Sequence, residues 1–328
     1  MKKYLLLGLV MILCLFTGCA KNEEKDVINE LSKKIEKLEG YYLDGELEII
    51  NNDDSYLYAV EVAYFKDNNF KVSLKNKVND HEQIILRNTE GVYVLTPSLN
   101  KSFKFQSEWP YNNSQSYLLQ TLLKDIKNDE NKVFEKTSDG YKINTTVDYS
   151  SNNDMKKQTI LLDKDLNIKE VSIFDENDQI KMKMTFNNID YKATFDDTYF
   201  TLNKNIGTEI QENTNATLDS IVYPMYLPEN TQLSGQEKVS TENGERIILT
   251  FSGDNPFMLV QETTNVSKDI LTIPMYGEPY MVTGSVGALS DSSLTWVNNG
   301  VEFYLVSDVL SQEELIDIAN SVSVASLK

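Results

Sequence analysis

Between residues 41 and 106 the chain is cut into short apolar or alternating runs, and this spacing admits strands and leaves no room for long helices. The runs occupy 41–50, 56–66, 70–75, 83–88, 91–96 and 102–106. Asn51-Asn52-Asp53-Asp54, Asp67-Asn68-Asn69, Asn79-Asp80 and Thr89-Glu90-Gly91 separate them. Asn, Asp and Gly tolerate left-handed backbone and bond to their own main chain, so such clusters reverse its direction. The spacing therefore predicts a meander of antiparallel strands. Strands resume at 132–136, 141–149, 156–163, 168–175 and 179–187.

Two segments carry the helical period instead. Val27, Leu31, Ile35 and Leu38 form one stripe over 24–39, with Gly40 as the expected stop. Tyr117, Leu118, Leu122 and Ile126 form another over 113–127. Residues 204–215 are polar, lack a period and read as a linker. A smaller unit over 216–328 follows, with strands at 235–240, 246–252, 257–263, 278–283, 285–289, 293–297 and 301–307. Ser311 and Glu314 make a capping box that opens a last helix, to about residue 322. The fold class is α+β, mainly antiparallel, with a principal domain over 26–203 and a second over 216–328.

The N-terminus speaks to location. Lys2 and Lys3 precede an apolar run over 4–16, shorter than the roughly 20 residues of a permanent span. Thr17-Gly18-Cys19 closes it. Small residues before a Cys, directly after such a core, resemble the lipobox of bacterial lipoproteins. The resemblance implies a signal peptide over 1–18, cleavage between Gly18 and Cys19, a diacylglyceryl group on Cys19 and a tether over 19–25. Two acyl chains hold a protein stably on a membrane, here on the extracytoplasmic face. The 2 cysteines are Cys14 and Cys19, so the mature body has no disulfide to draw on.

The net charge of −19 argues against nucleic-acid partners and anionic headgroups. His81 is the 1 histidine and lies in a turn-like stretch without a catalytic partner nearby in sequence. Asp163-Lys164-Asp165-Leu166-Asn167 loosely matches a calcium loop, but Ile168 and Phe174 stand where Gly and Glu belong, so a hairpin turn is expected. No motif for a cofactor or metal is present, and no carboxylate pair stands out, so the chain reads as non-catalytic. Phe103, Phe105, Trp109 and Tyr111 form an aromatic stretch at a strand end, read either as core packing or as the surface of a cleft or partner-docking edge.

The run from Ile84 to Phe105, Trp109-Pro110 and the segment 116–126 are similar to the sporulation and germination lipoproteins of the YdcC-like and GerS-like family. The similarity covers about 20–205, and Trp296, the stretch 300–305 and the Ser311 helix resemble the extension of longer members. The resemblance implies a LolA-like incomplete β-barrel with helices plugging its concave side. It also implies one of two roles: binding an N-acetylmuramoyl-L-alanine amidase in spore cortex assembly or germination, or holding lipid or lipoprotein acyl chains in an apolar cleft. Such a protein would face the space between forespore and mother-cell membranes. A shuttling carrier must leave the membrane, whereas Cys19 would tether this chain, so the partner-binding role leads.

Overall fold

The computed structural model describes residues 23–51, 54–149, 155–206, 221–241, 244–264, 269–282, 284–298 and 300–322. The expected signal peptide, Gly18, Cys19 and most of the expected linker lie outside them.

Helix α1 spans 23–36 and buries Val27, Leu31 and Ile35, the expected stripe. It ends before Gly40 because the chain is already in a sheet there. Gly40 opens strand β1 (Gly40–Asn51), and a side chain at that position would meet the Ala193 carbonyl at 2.7 Å. Close backbone approach, and not a helix cap, explains this glycine. The meander continues through β2 (Asp54–Phe65), β3 (Asn69–Asn76), β4 (Glu82–Asn88), β5 (Gly91–Thr96) and β6 (Lys101–Phe105). Helix α2 covers Leu119–Asn128, six residues later in its start than the apolar period suggests. Ser114 explains the delay: its N–H donates to Asp148 O at 2.7 Å, and its Oγ accepts from Asp148 N at 2.9 Å. That bridge holds the preceding segment extended.

Strands β7 (Val133–Lys136), β8 (Gly140–Thr146), β9 (Lys157–Asp163), β10 (Ile168–Phe174) and β11 (Ile180–Asp190) follow. β11 returns to pair with β1 and joins the two meanders into one sheet. The pairing shifts register between Asp44 and Gly45. A side chain at Gly45 would meet the Thr185 carbonyl at 2.2 Å, so only glycine fits this bulge. After β11 the chain folds over the convex face, where Phe200 and Ile206 pack on Ile84, Leu86, Tyr93 and Leu95. The short helix α3 (Leu202–Asn205) belongs to this cover. Residues 204–206 are thus packed structure rather than linker.

The second sheet holds β12 (Thr231–Thr241), β13 (Gly244–Gly253), β14 (Phe257–Thr263), β16 (Glu278–Val282), β17 (Ser285–Leu289), β18 (Ser293–Asn298) and β19 (Val301–Val306), in the order β12-β13-β14-β19-β18-β17-β16. Helix α4 (Gln312–Ser321) starts at the expected capping box and buries Leu315, Ile316, Ile318 and Ala319. One strand escaped the sequence reading. β15 (Leu271–Met275) leaves the second unit and pairs, parallel, with β6 of the first. The large sheet is therefore twelve-stranded and open, in the order β15-β6-β5-β4-β3-β2-β1-β11-β10-β9-β8-β7.

The concave face of this sheet is filled. Leu31 and Ile35 of α1, and Leu119, Leu122 and Ile126 of α2, share one core with Tyr41, Leu43 and Leu47 of β1. Val286, Ala288 and Val297 join the same core from the outer face of the second sheet. Full burial of such a side chain contributes about 1.5–3 kcal/mol, so the second unit completes the half-barrel's interior.

Candidate functional site

A tight turn at Pro97–Leu99, with Asn100 in left-handed backbone (φ 50°), aims β6 along the sheet margin. Phe103 and Phe105 alternate inward and are 5% and 3% exposed. Trp109 is 1% exposed and stands edge-on to Phe70 at 6.1 Å. Arg87 donates to the Trp109 carbonyl. Tyr111 is 37% exposed; its ring also meets Phe70 edge-on, and its hydroxyl donates to Asn68 Oδ1 at 2.7 Å. The structure thus places Phe103, Phe105 and Trp109 in the interior, not on a docking surface. Of the four aromatics, Tyr111 alone reaches solvent substantially.

The margin beyond β6 is also occupied. Leu271 N donates to Asn100 O at 3.0 Å and sets the parallel register. In this register Leu271, Ile273 and Met275 turn their backbone groups to β6, while Thr272 and Pro274 turn theirs outward. Pro274 has no N–H to offer a further strand. Ser102 and Thr272 hydroxyls sit 2.7 Å apart, and Lys101 Nζ lies 2.6 Å from Glu302 Oε2. Buried Gln83 ties the two units again. Its Oε1 accepts from Val286 N at 2.6 Å, and its Nε2 donates to Val286 O at 3.1 Å, as a neighbouring peptide group would.

Between the units opens a pocket of about 120 Å³. Its deeper wall comprises Ile85, Tyr117, Met182, Val286 and Ile316, with Tyr149, Met155, Tyr280 and Met281 half-buried around it. Asn51, Gln115, Lys181, Asp317 and Asn320 stand at the mouth. Lys181 Nζ is 3.5 Å from Asp175 Oδ2. Five of these nine residues come from the first unit and four from the second, and no sequence motif signals the pocket.

Asp125 and His81 are not among the residues that line the pocket. Burial pushes Asp125 up to about 6, against the lowering hydrogen bonds from Ser114 and Gln158; the Gln158 Nε2 contact is 2.9 Å. Burial also lowers the His81 imidazole below its ordinary value, against the raising charge of Glu82. Among the described residues no group of three or more His, Cys, Asp or Glu is placed to hold a metal. The 163–167 segment is a hairpin turn whose oxygens are already served: Lys34 Nζ donates to Asp165 O at 3.0 Å, Leu166 O at 3.2 Å and Asn167 Oδ1 at 2.7 Å. An ammonium stands where a calcium reading would put the ion. Among the described residues no helix is long and apolar enough to cross a membrane.

Comparison with known proteins fixes the family. Over 329 residues the chain is 34% identical to the sporulation protein YdcC of Bacillus subtilis (strain 168), covering 99% of this chain and 97% of that one. Among solved structures, the GerS lipoprotein of Clostridioides difficile in complex with the CwlD amidase aligns over 51% of this chain and 95% of that one, at 15% identity and a TM-score of 0.25. The LolA superfamily protein NE2245 from Nitrosomonas europaea aligns over 54% and 96%, at 9% identity and a TM-score of 0.31. These superpositions are loose, and the architecture rests on the strand pairing described above. Residues 1–200 match the family described as Sporulation protein YdcC-like, and the chain belongs to that family.

Proposed function

We propose that the protein is a non-catalytic lipoprotein, anchored through Cys19 on the extracytoplasmic face of a membrane, that binds a protein partner during spore formation. The observation that carries this reading is the filled concave face. Side chains from α1, α2 and the second sheet occupy the interior in which a carrier would lodge acyl chains. Ligand sites for drug-sized molecules run to roughly 300–1,000 Å³; the pocket between the units is well below that, and the groove of about 320 Å³ between α1 and α2, lined by Ile35, Leu38, Leu123 and Lys127, reaches only the lower end of it. Binding therefore falls to the exterior and to the seam. The resemblance of 84–126 to GerS-like lipoproteins supports a cell-wall amidase as the partner class, acting in cortex assembly or germination.

A crosslinked capture of the tagged full chain from sporulating cells, followed by mass spectrometry of proteins and lipids, tests the reading. An amidase at near-equal amount without stoichiometric lipid is the expected result. Stoichiometric acyl lipid and no protein would overturn it. The anchor has its own test: Cys19→Ser should leave the body folded but release it from the membrane fraction, and retention of the variant would refute lipidation as the tether.

A further inference from the structure

The second unit is the acidic end of the molecule, and it carries an exposed apolar segment beside its last helix. We infer that this segment, Tyr223 to Leu227, is a docking surface for a protein that presents an apolar side chain ringed by lysine or arginine. The inference rests on the partner-binding reading above and names the partner's chemistry.

Pro224 and Pro228 bracket Met225-Tyr226-Leu227. Proline fixes φ and has no N–H, so this stretch joins neither a helix nor an interior strand. Both prolines are buried, whereas Tyr223, Met225, Tyr226 and Leu227 are exposed, Met225 by 82%. Hydrogen bonds hold the backbone at two points. Val222 N donates to Gln261 Oε1 at 2.9 Å, Gln261 Nε2 donates to the Val222 carbonyl, and Gln261 is fully buried. Met225 N donates to Ser321 O, at the end of α4, at 3.2 Å. A segment fixed in this way loses little freedom on binding. Apolar side chains scattered singly over a surface are ordinary. Four within five residues, two of them tyrosines and one a methionine, have the composition of an interface.

Charge selects the occupant. Residues 216–328 contain fifteen acidic residues against four basic ones, so more than half of the net charge of −19 lies in a third of the chain. From Asp269 to Leu327 there is no lysine or arginine. Among the described residues of the second unit the cations, Lys238 and Arg246, are already paired with Glu245 and Glu262. Carboxylates also rim the apolar segment. Burial first, then the charges of Asp317, Glu314 and Glu229, raise the Tyr226 hydroxyl above its ordinary value. Such a rim repels an anionic bilayer surface and nucleic acid. It disfavours a second copy as well, because a two-fold interface sets the same patch against itself and would bring these carboxylates together. A protein with a basic rim is attracted at the same place, and complementary charge speeds encounter and suppresses wrong partners.

Two experiments on the full chain separate this inference from the reading beneath it. In the first, the purified chain in phosphatidylcholine nanodiscs, isotopically labelled at its methionine methyl groups, is titrated with the synthetic peptide Arg-Arg-Trp-Leu-Arg-Arg and followed by NMR. One control peptide has glutamates for the arginines, and another has Ser-Gly for Trp-Leu. The Met225 signal, identified by its loss in Met225→Leu, should shift with the first peptide and with neither control. An unmoved Met225 signal, or an equal shift from either control, would overturn the inference. In the second, tagged chains are crosslinked in sporulating cells. Met225→Ser with Tyr226→Ser removes the apolar centre, and Glu229→Lys with Asp317→Lys reverses the rim; all four side chains are exposed, so the fold should persist. Captured partner should fall by roughly thirtyfold in each double variant, the ratio associated with loss of a binding hot spot, with lipoprotein level unchanged. Undiminished capture by both would overturn the segment while leaving partner binding intact on another surface, and loss in the first variant alone would overturn the basic partner. Wild type that captures no protein would overturn the partner reading, and the peptide titration then decides the segment by itself.

Discussion

Gln83 performs at a seam what backbone performs inside a sheet. Its amide, 3% exposed, donates to and accepts from Val286 in the other unit. Leaving a buried polar group unpaired costs about 1–3 kcal/mol, and Gln83→Leu strands both the N–H and the C=O of Val286. The variant should lose roughly 2–4 kcal/mol of stability, read as a lower urea midpoint. An unchanged midpoint would mean that water or a shifted neighbour replaces the amide. Asp125 works in the opposite sense. Burial raises its carboxyl to about 6 in the folded state, above the ordinary aspartate value. A raised carboxyl favours the folded state when protonated, so its contribution is full below about pH 4 and is lost as pH rises through 6. Asp125→Asn keeps an acceptor for Gln158 and removes the charge. The variant should therefore be more stable than wild type at pH 8, by at most about 3 kcal/mol, and should match it near pH 4. Parallel unfolding curves at the two pH values check this, and an equal gap at both would refute the titration as its cause.

At the scale of elements, strands and helices were legible where local chemistry decides and obscure where distant packing does. The Asn/Asp-punctuated runs gave β1 to β11 closely, because turn residues act locally. The capping box at Ser311 and Glu314 is equally local and appears intact. β15 was missed because Leu271-Thr272-Ile273-Pro274-Met275 carries a proline at its fourth position, which argues against an interior strand. It is a strand because it lies at a margin, paired on one side only. The aromatic stretch left two readings open for a related reason: sequence shows that Phe103 and Phe105 alternate, but not that a later segment covers their edge. The pocket, assembled from residues far apart in the chain, had no local signal at all. Open strand edges invite association, and proline blunts them. Pro274→Val restores an outward N–H to β15, so the variant should keep its fold and self-associate more readily at high concentration. Sedimentation velocity would show the shift; a monomer indistinguishable from wild type would mean that other features guard this edge.

On the scale of the whole molecule, the strand order sets the two margins of the large sheet apart. Lys136, at the end of β7, pairs with Glu23 at the start of α1, which places the N-terminal entry beside one margin of the twelve-stranded sheet. The second unit attaches at the other margin through β15. Neighbouring strands lie about 4.8 Å apart, so the path along the sheet between the margins is roughly 50 Å, shortened in space by curvature. From Cys19 to Glu23 the chain reaches at most about 14 Å at 3.3–3.6 Å per residue. On the proposed anchoring, a lipid on Cys19 would hold the β7 margin close to the membrane and the β15 margin of the second unit away from it. This geometry suits a tether that offers its binding face outward into the surrounding space. It predicts a distance-dependent result: in vesicles whose headgroups carry a quencher, a fluorophore at Asp139, in the β7–β8 turn, should be strongly quenched. The same fluorophore at Asp317 on α4 should be nearly untouched. Comparable quenching at both sites would mean that the body lies down on the membrane, and the second unit would then face lipid rather than a soluble partner.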